Sequence, residues 1–211
     1  MPQTLDRDAL DDISARTLAY YRERAEAFRE GTRDHDVSQN IAALLDSIEG
    51  APPFAILDLG CGPGRDLSAF VARGHHATGL DATPEFAAIA RRESGCDVWQ
   101  QDFLALDLPA SQFDGIFANA SLFHVPTQEL PRVLGELRAA LKPRGVLFSS
   151  NPHGNDEEGW NRGRYGAFLR PSTWQRYLED AGFDEIAHYY RPEGMPREAQ
   201  PWFASVWRRR A

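Results

Sequence analysis

Residues 56–66 read ILDLGCGPGRD: an apolar run, then Gly60, Gly62 and Gly64, then the polar start of an amphipathic segment. Glycines at such a strand-to-helix turn let backbone N–H groups approach a ligand closely, because no Cβ stands in the way. The next strand-like run, HATGL (76–80), leads straight into Asp81. A carboxylate at that place, about twenty residues after the first glycine, can accept both hydroxyl hydrogens of a ribose. Together the two features describe a nucleoside site on an α/β sheet. Two phosphate-binding patterns are excluded. A dinucleotide fingerprint needs a third glycine where Arg65 stands, since the helix must pack close to the strand and meet a pyrophosphate. No Gly-Lys-Ser/Thr follows the glycines, so a triphosphate loop is absent as well.

Outward from this turn, short apolar runs alternate with amphipathic segments. FAILDL (54–59), HATGL (76–80), DVWQ (97–100), FDGIFA (113–118) and GVLFSS (145–150) read as strands, with helices near 65–73, 84–93 and 127–141. Strands joined by helices of this length make right-handed crossovers and a parallel sheet covered on both faces. Upstream, the spacing of Leu5, Leu10, Ile13, Leu18, Tyr21, Ala25 and Phe28 predicts one helix over 4–30, stopped by Gly31, and Ser38 is expected to cap a second through Ile48. Downstream, the Gly-, Asn- and Arg-rich stretch 151–170 reads as a long loop, of a length that usually carries function. Ser172 is expected to cap a helix through Ala181, and FDEIAHYY (183–190) and PWFASVW (201–207) read as closing strands. The expectation is a Rossmann-like, seven-stranded, mostly parallel sheet flanked by helices. An N-terminal helical cap (1–50) would precede a core (51–211), the whole forming one structural domain.

The chain has 211 residues, enough for one domain with a substantial core. Hydrophobic residues make up 42% and charged residues 26%, which excludes disordered and fibrous classes. A formal charge of −8 argues against a surface that neutralises phosphates, so no nucleic-acid partner is expected. No apolar run reaches membrane-span length, and the start MPQTLDRDALDD is acidic rather than leader-like. Cys61 and Cys96 make neither a disulfide framework nor a zinc pair. A soluble, cytoplasmic protein without a metal, monomeric or homodimeric, is the expectation.

The motifs ILDLGCGPGRD, GLDATPEF (79–86), QQDF (100–103), FDGIFANASLFHVP (113–126) and LRAALKPRGVLFSS (137–150) stand in one order over most of the chain. In that order and spacing the sequence resembles the class I S-adenosylmethionine-dependent methyltransferases, of the type acting on small molecules. Arg144 departs from the family's usual glycine, in a turn away from the cofactor. The resemblance implies S-adenosylmethionine as cofactor and S-adenosylhomocysteine as product. The backbone of Gly60, Cys61, Gly62 and Gly64 would then seat the methionine part, with Asp58 orienting the loop. Asp81 would hold the ribose, and Ala82 and Phe86 would pack on the adenine. Asp102 would accept the exocyclic amino hydrogen, the Phe103 amide would donate to a ring nitrogen, and Asn119 and Ala120 would line the sulfonium end. On the N-terminal helix, Tyr20 would face the cofactor, Tyr21 the methyl or the acceptor, and Arg24 the methionine carboxylate. Each has a plainer reading: a solvated carboxylate for Asp102, a core aromatic for Phe86, a loop filler for Cys61, a surface arginine for Arg24.

Methyl transfer from a sulfonium mainly requires positioning and exclusion of water. An acceptor that arrives protonated gains from a base, and His124 after the fourth strand is the best placed candidate. The same histidine could equally serve packing and hydrogen bonding. His153, Trp160, Arg164 and Tyr165 in the 151–170 stretch are the expected substrate residues, since ligands sit at the carboxyl ends of parallel strands. Asn119-Ala120-Ser121-Leu122 lacks the Asn/Asp-Pro-Pro-aromatic motif of enzymes that methylate base or amide nitrogens, which points to a small free molecule with an N, O or S nucleophile. Two rivals stay open, a nicotinamide-dependent oxidoreductase and a non-catalytic cofactor-binding module.

Overall fold

A computed structural model describes residues 4–211; Met1–Gln3, the first part of the acidic start, lie outside the described residues. In chain order the elements are α1 (Arg7–Arg22), α2 (Ala25–Thr32), α3 (Ser38–Leu45), β1 (Ala55–Leu59), α4 (Arg65–Ala72), β2 (His76–Leu80), α5 (Pro84–Ser94), β3 (Val98–Trp99) and β4 (Phe113–Asn119). There follow α6 (Leu130–Ala140), β5 (Leu141–Pro152), β6 (Glu157–Asn161), β7 (Arg164–Phe168), α7 (Pro171–Asp180), β8 (Phe183–Arg191) and β9 (Trp202–Arg209). Seven strands form one sheet in the order β3-β2-β1-β4-β5-β9-β8. The first five are parallel, β9 runs antiparallel to β5, and β8 antiparallel to β9. This is the Rossmann-like sheet expected.

Alternation along each strand builds the two layers. Leu57, Leu59, Ile116 and Leu147 pack on one face with Val133, Leu134 and Leu137 of α6 and Trp174 and Leu178 of α7. Ile56, Phe117, Val146 and Phe148 face the other side, against Ile41 and Leu44 of α3 and Phe70 of α4. Strands buried on both faces explain their near-continuous apolar sequences. The β1–β4 crossovers bring the ends of β1, β2, β3 and β4 to one edge, and the antiparallel β9 turns β8 so that its end reaches the same edge.

Four local expectations are corrected. The single helix over 4–30 breaks at Glu23–Arg24 into α1 and α2. In an unbroken helix Tyr21 and Phe28 would stand about 10 Å apart along the axis; the break brings their rings to 5.6 Å and lets both pack on Phe86. The 151–170 stretch is not a loop, because β6 and β7 pair as an antiparallel hairpin. Ser38 does not cap α3; its amide donates to the Asp36 carboxylate at 2.9 Å. Ser172 lies inside α7, which starts at Pro171, where the missing N–H costs nothing. Among the described residues no helix is long and apolar enough to cross a membrane.

Candidate functional site

A cavity of about 740 Å³ opens at the carboxyl edge of the sheet, walled by strand ends below and by α1, α2 and the α2–α3 connection above. Its size is that of a small-ligand site. Asp81 stands in its wall, nearly fully buried. One carboxylate oxygen accepts the Gly62 amide at 2.9 Å and the other the Thr83 amide at 2.8 Å. A carboxylate offers about four lone-pair positions, so about two face the cavity for hydroxyl donors. Burial holds the Asp81 carboxyl above its ordinary range.

Gly60, at a φ of 73°, crosses under the loop after β4: a Cβ there would stand 2.5 Å from Ser121 Cβ and 3.3 Å from the Phe103 ring. The Ser121 hydroxyl is buried in the cavity wall without a hydrogen-bond partner. Asp102 caps the short 3-10 turn that follows it through the Leu104 amide at 2.8 Å, and its second oxygen is held by the Ser14 hydroxyl of α1. Tyr21, Phe28 and Phe86 make an aromatic wall beside Asp81.

A second polar group joins this wall through Tyr21. His124 Nδ1 lies 2.6 Å from the Tyr165 carbonyl and Nε2 lies 2.8 Å from the Tyr21 hydroxyl. A carbonyl can only accept, so Nδ1 carries the proton and Nε2 accepts from Tyr21. Arg164 Nη1 in turn donates to the Tyr21 oxygen at 3.2 Å. Burial, followed by the cation of Arg164, pulls His124 down to about 4, and burial pushes Tyr21 up to about 12. Both are neutral near pH 7.

The floor between these groups is a polar chain. Arg65 forks onto Asp66 with contacts of 2.6 and 2.9 Å, Asn119 donates to Asp66 at 3.3 Å, and Asn40 of α3 donates to Asn119 at 3.0 Å. Asn40 itself accepts from Tyr189 at 2.9 Å and from Arg191 at 3.1 Å.

A model of the methyltransferase domain matches residues 56–145, from β1 into the turn of β5. The ubiquinone biosynthesis O-methyltransferase of Xylella fastidiosa is 33% identical over 230 aligned positions, covering 92% of this chain and 87% of that protein. The chain belongs to the class I S-adenosylmethionine-dependent methyltransferase superfamily. S-adenosylmethionine is the cofactor that goes with that membership. The malonyl-[acyl-carrier protein] O-methyltransferase of Erwinia pyrifoliae is 31% identical over 161 residues, 75% of this chain but 57% of that protein. The trans-aconitate 2-methyltransferase of Azoarcus is 36% identical over 104 residues, 48% of this chain and 40% of that protein. The chain thus spans about half the length of these two relatives. Among solved structures, the Burkholderia thailandensis 1,6-didemethyltoxoflavin-N1-methyltransferase superposes at a TM-score of 0.78 with 21% identity, over 100% of this chain and 94% of that one. The [4+2]-cyclase SpnF superposes at 0.72 with 17% identity, over 94% of this chain and 96% of that one. One methyltransferase-like fold therefore carries different reactions, and the chemistry must be argued from side chains.

Of the expected cofactor residues, Gly60, Cys61, Gly62, Asp81, Ala82, Phe86, Asp102, Phe103, Asn119 and Ala120 line the cavity, as do Tyr21 and His124. Burial pushes the Cys61 thiol up, which leaves it a small apolar lining group. Four others lie outside the cavity lining, Asp58 beneath the loop as expected. Gly64 starts α4 at a φ of 89° and a Cβ on it would meet the Ala90 backbone at 2.8 Å, so it serves the packing of α4 on α5. Asp58 lies beneath the loop with one oxygen unpartnered, its carboxyl held well above the usual range by burial and by neighbouring Asp66. Tyr20 packs edge-on against Tyr21 outside the cavity wall. Arg24 is exposed and stacks over the Tyr20 ring.

None of the four expected substrate residues, His153, Trp160, Arg164 and Tyr165, lines the cavity. The hairpin instead braces α1: the Tyr165 amide donates to Thr17 at 3.0 Å, and Arg16 sits over the Trp160 ring at 3.7 Å. Arg164 and Tyr165 reach the site only through Tyr21 and His124, and His153 is held on the Gln200 carbonyl at 3.0 Å. The cavity residues missed in the sequence include Arg65, Asp66, Asn40, Ser121, Ser150, Arg191 and Trp202. Only Arg65 and Asp66 carried a local signal, as the polar pair directly behind the glycines.

Proposed function

We propose that the chain transfers a methyl group from S-adenosylmethionine to a nucleophilic nitrogen, oxygen or sulfur of a small molecule. The observation that carries this is one cavity with two unlike sets of residues. Asp81 with spare lone pairs beside the Gly60–Gly62 turn suits a nucleoside, and His124, Ser150 and Trp202 suit a second ligand, with Tyr21 between the two sets. The relatives' names, an O-methyltransferase of ubiquinone biosynthesis, one acting on malonyl-[acyl-carrier protein] and a trans-aconitate 2-methyltransferase, support an acceptor with an oxygen nucleophile.

The Gly60–Gly62 backbone, Asp81 and the Asp102–Phe103 turn would hold the cofactor. When bound, it supplies an electrophilic methyl on a sulfonium sulfur, and the acceptor's lone pair forms the new bond as the electron pair of the broken carbon–sulfur bond stays on sulfur. The protein's own contribution is position and dryness. Helices α1 and α2, braced by the hairpin, act as the lid, and the Arg164–Tyr21–His124 chain fixes the phenol hydroxyl at its inner face.

Titration of S-adenosylhomocysteine into the protein, followed by transfer of labelled methyl to a panel of carboxylic acids, phenols, thiols and amines, tests the proposal. Micromolar product binding with turnover of at least one acceptor is expected, and Tyr21→Phe should lower kcat while leaving cofactor affinity within a few-fold. Binding of a nicotinamide dinucleotide in its place, or tight product binding without turnover of any acceptor, contradicts it.

A further inference from the structure

The strand ends under the cavity fall into two sets. Gly60, Asp81 and Asn119 follow or end β1, β2 and β4. Beyond β4 the sheet order places Ser150, Trp202 and Arg191 next, with Asn119 in register with Ser150 and Trp202 in register with Arg191. All three line the same cavity.

Arg191 makes no close ion pair, although after the Ser38 hydrogen bonds its cation also helps to hold the neighbouring Asp36 carboxyl below its ordinary range. Its Nη1 donates to Asn40 Oδ1 at 3.1 Å and its Nη2 to the Asp36 backbone carbonyl at 3.0 Å, both neutral acceptors. The Asp36 carboxylate is turned to the Ser38 amide. Among the described residues no carboxylate makes an ion pair with Arg191. The other guanidinium in the wall, Arg65, is already forked onto Asp66. A half-buried guanidinium with N–H donors to spare is the complement of a carboxylate.

We propose that the methyl acceptor is a small molecule bearing a carboxylate, held by Arg191 with Trp202 packed against its body. This rests on the methyltransferase reading of the cavity. The cofactor's own carboxylate is the less fitting occupant. It belongs with the tail at the glycine loop, whereas Arg191 ends a strand that β4, β5 and β9 separate from β1. The neutral His124–Tyr21 pair fits the same picture, because an anionic oxygen nucleophile needs no proton removed.

The test titrates malonate, benzoate and trans-aconitate, each beside its neutral amide, into protein saturated with S-adenosylhomocysteine. At least one acid should bind and its amide should bind tenfold or more weaker. Arg191→Gln should weaken that acid roughly ten- to a hundredfold, Arg191→Lys less, and both should stay folded with product affinity within about threefold, the melting temperature falling only by the loss of the Asn40 and Asp36 hydrogen bonds. Binding of no acid, equal binding of acid and amide, equal binding by Arg191→Gln, or an equal loss of product affinity in that variant overturns the proposal. If the parent fails to bind S-adenosylhomocysteine at all, the methyltransferase reading itself falls and the proposal with it.

Discussion

The cavity edge divides at β4. On one side, β1, β2 and the turn after β3 contribute a ligand surface of backbone amides, carboxylates and the Phe86 and Phe103 rings, drawn from residues 60–103. On the other, Ser150, Arg191 and Trp202 come from three strands, and Arg191 meets Asn40 of a helix more than a hundred residues earlier. The first half is local in sequence, because each βα unit delivers its loop to the same edge. The second half exists only once β9 has inserted antiparallel between β5 and β8. A cofactor shared across a superfamily suits the first kind of construction, and an acceptor particular to one protein suits the second.

Asp81→Ala is the strongest way to break this division. On the proposed reading it would remove two charge-assisted hydrogen bonds to a ribose, and it should cost S-adenosylhomocysteine about 2–4 kcal/mol by calorimetry, with the acceptor's KM following only through the cofactor. Unchanged affinity would move the nucleoside elsewhere.

Acid should act on the second set, at His124. His124 titrates near 6.5 when unfolded and near 4 in the fold. The unfolded chain therefore takes up a proton that the folded one refuses, and stability falls as pH drops from about 6.5 towards 4 and levels below it. The loss is on the order of 3 kcal/mol. Denaturant melts of the parent and His124→Gln across that window should differ by this slope, and parallel curves would place the imidazole in solvent.

Within the glycine turn itself, Gly64→Ala should destabilise by about 1–3 kcal/mol through the Ala90 contact and the left-handed backbone. Gly62→Ala, whose Cβ would meet only Phe28 at 3.8 Å, should cost about 1 kcal/mol of stability and more of cofactor affinity. Melts beside titrations separate the two, and the reverse ranking would exchange their roles. Trp160→Ala should have the smallest effect: its ring is 40% exposed under Arg16, so about 0.5–1 kcal/mol of stability is lost with cofactor affinity and acceptor KM unmoved. A raised acceptor KM would return the hairpin to the acceptor site.

These contrasts also explain what could be seen in the sequence. ILDLGCGPGRD, Asp81 and Asp102 were legible because strand, turn and helix lie within one crossover, where periodicity and glycine placement act over a few residues. The hairpin was missed because its polar composition masks the strands. Its signal was present: Arg162 and Gly163 take φ of 52° and 89° in a two-residue turn, with Trp160 paired to Tyr165 across it. Arg24 was misplaced because no Gly or Pro marks the α1–α2 break, which is set by the burial of Tyr21 and Phe28 on Phe86. Arg191 and Asn40 left no local signal, since only sheet order brings them together.

The division of the cavity is tested most directly by a crystal structure of the protein with S-adenosylhomocysteine. The ribose hydroxyls should lie on Asp81, the adenine beside Asp102 and Phe103, and the sulfur should face an open space bounded by His124, Ser150, Trp202 and Arg191. A product molecule lying along Ser150, Trp202 and Arg191 with Asp81 left bare would contradict it.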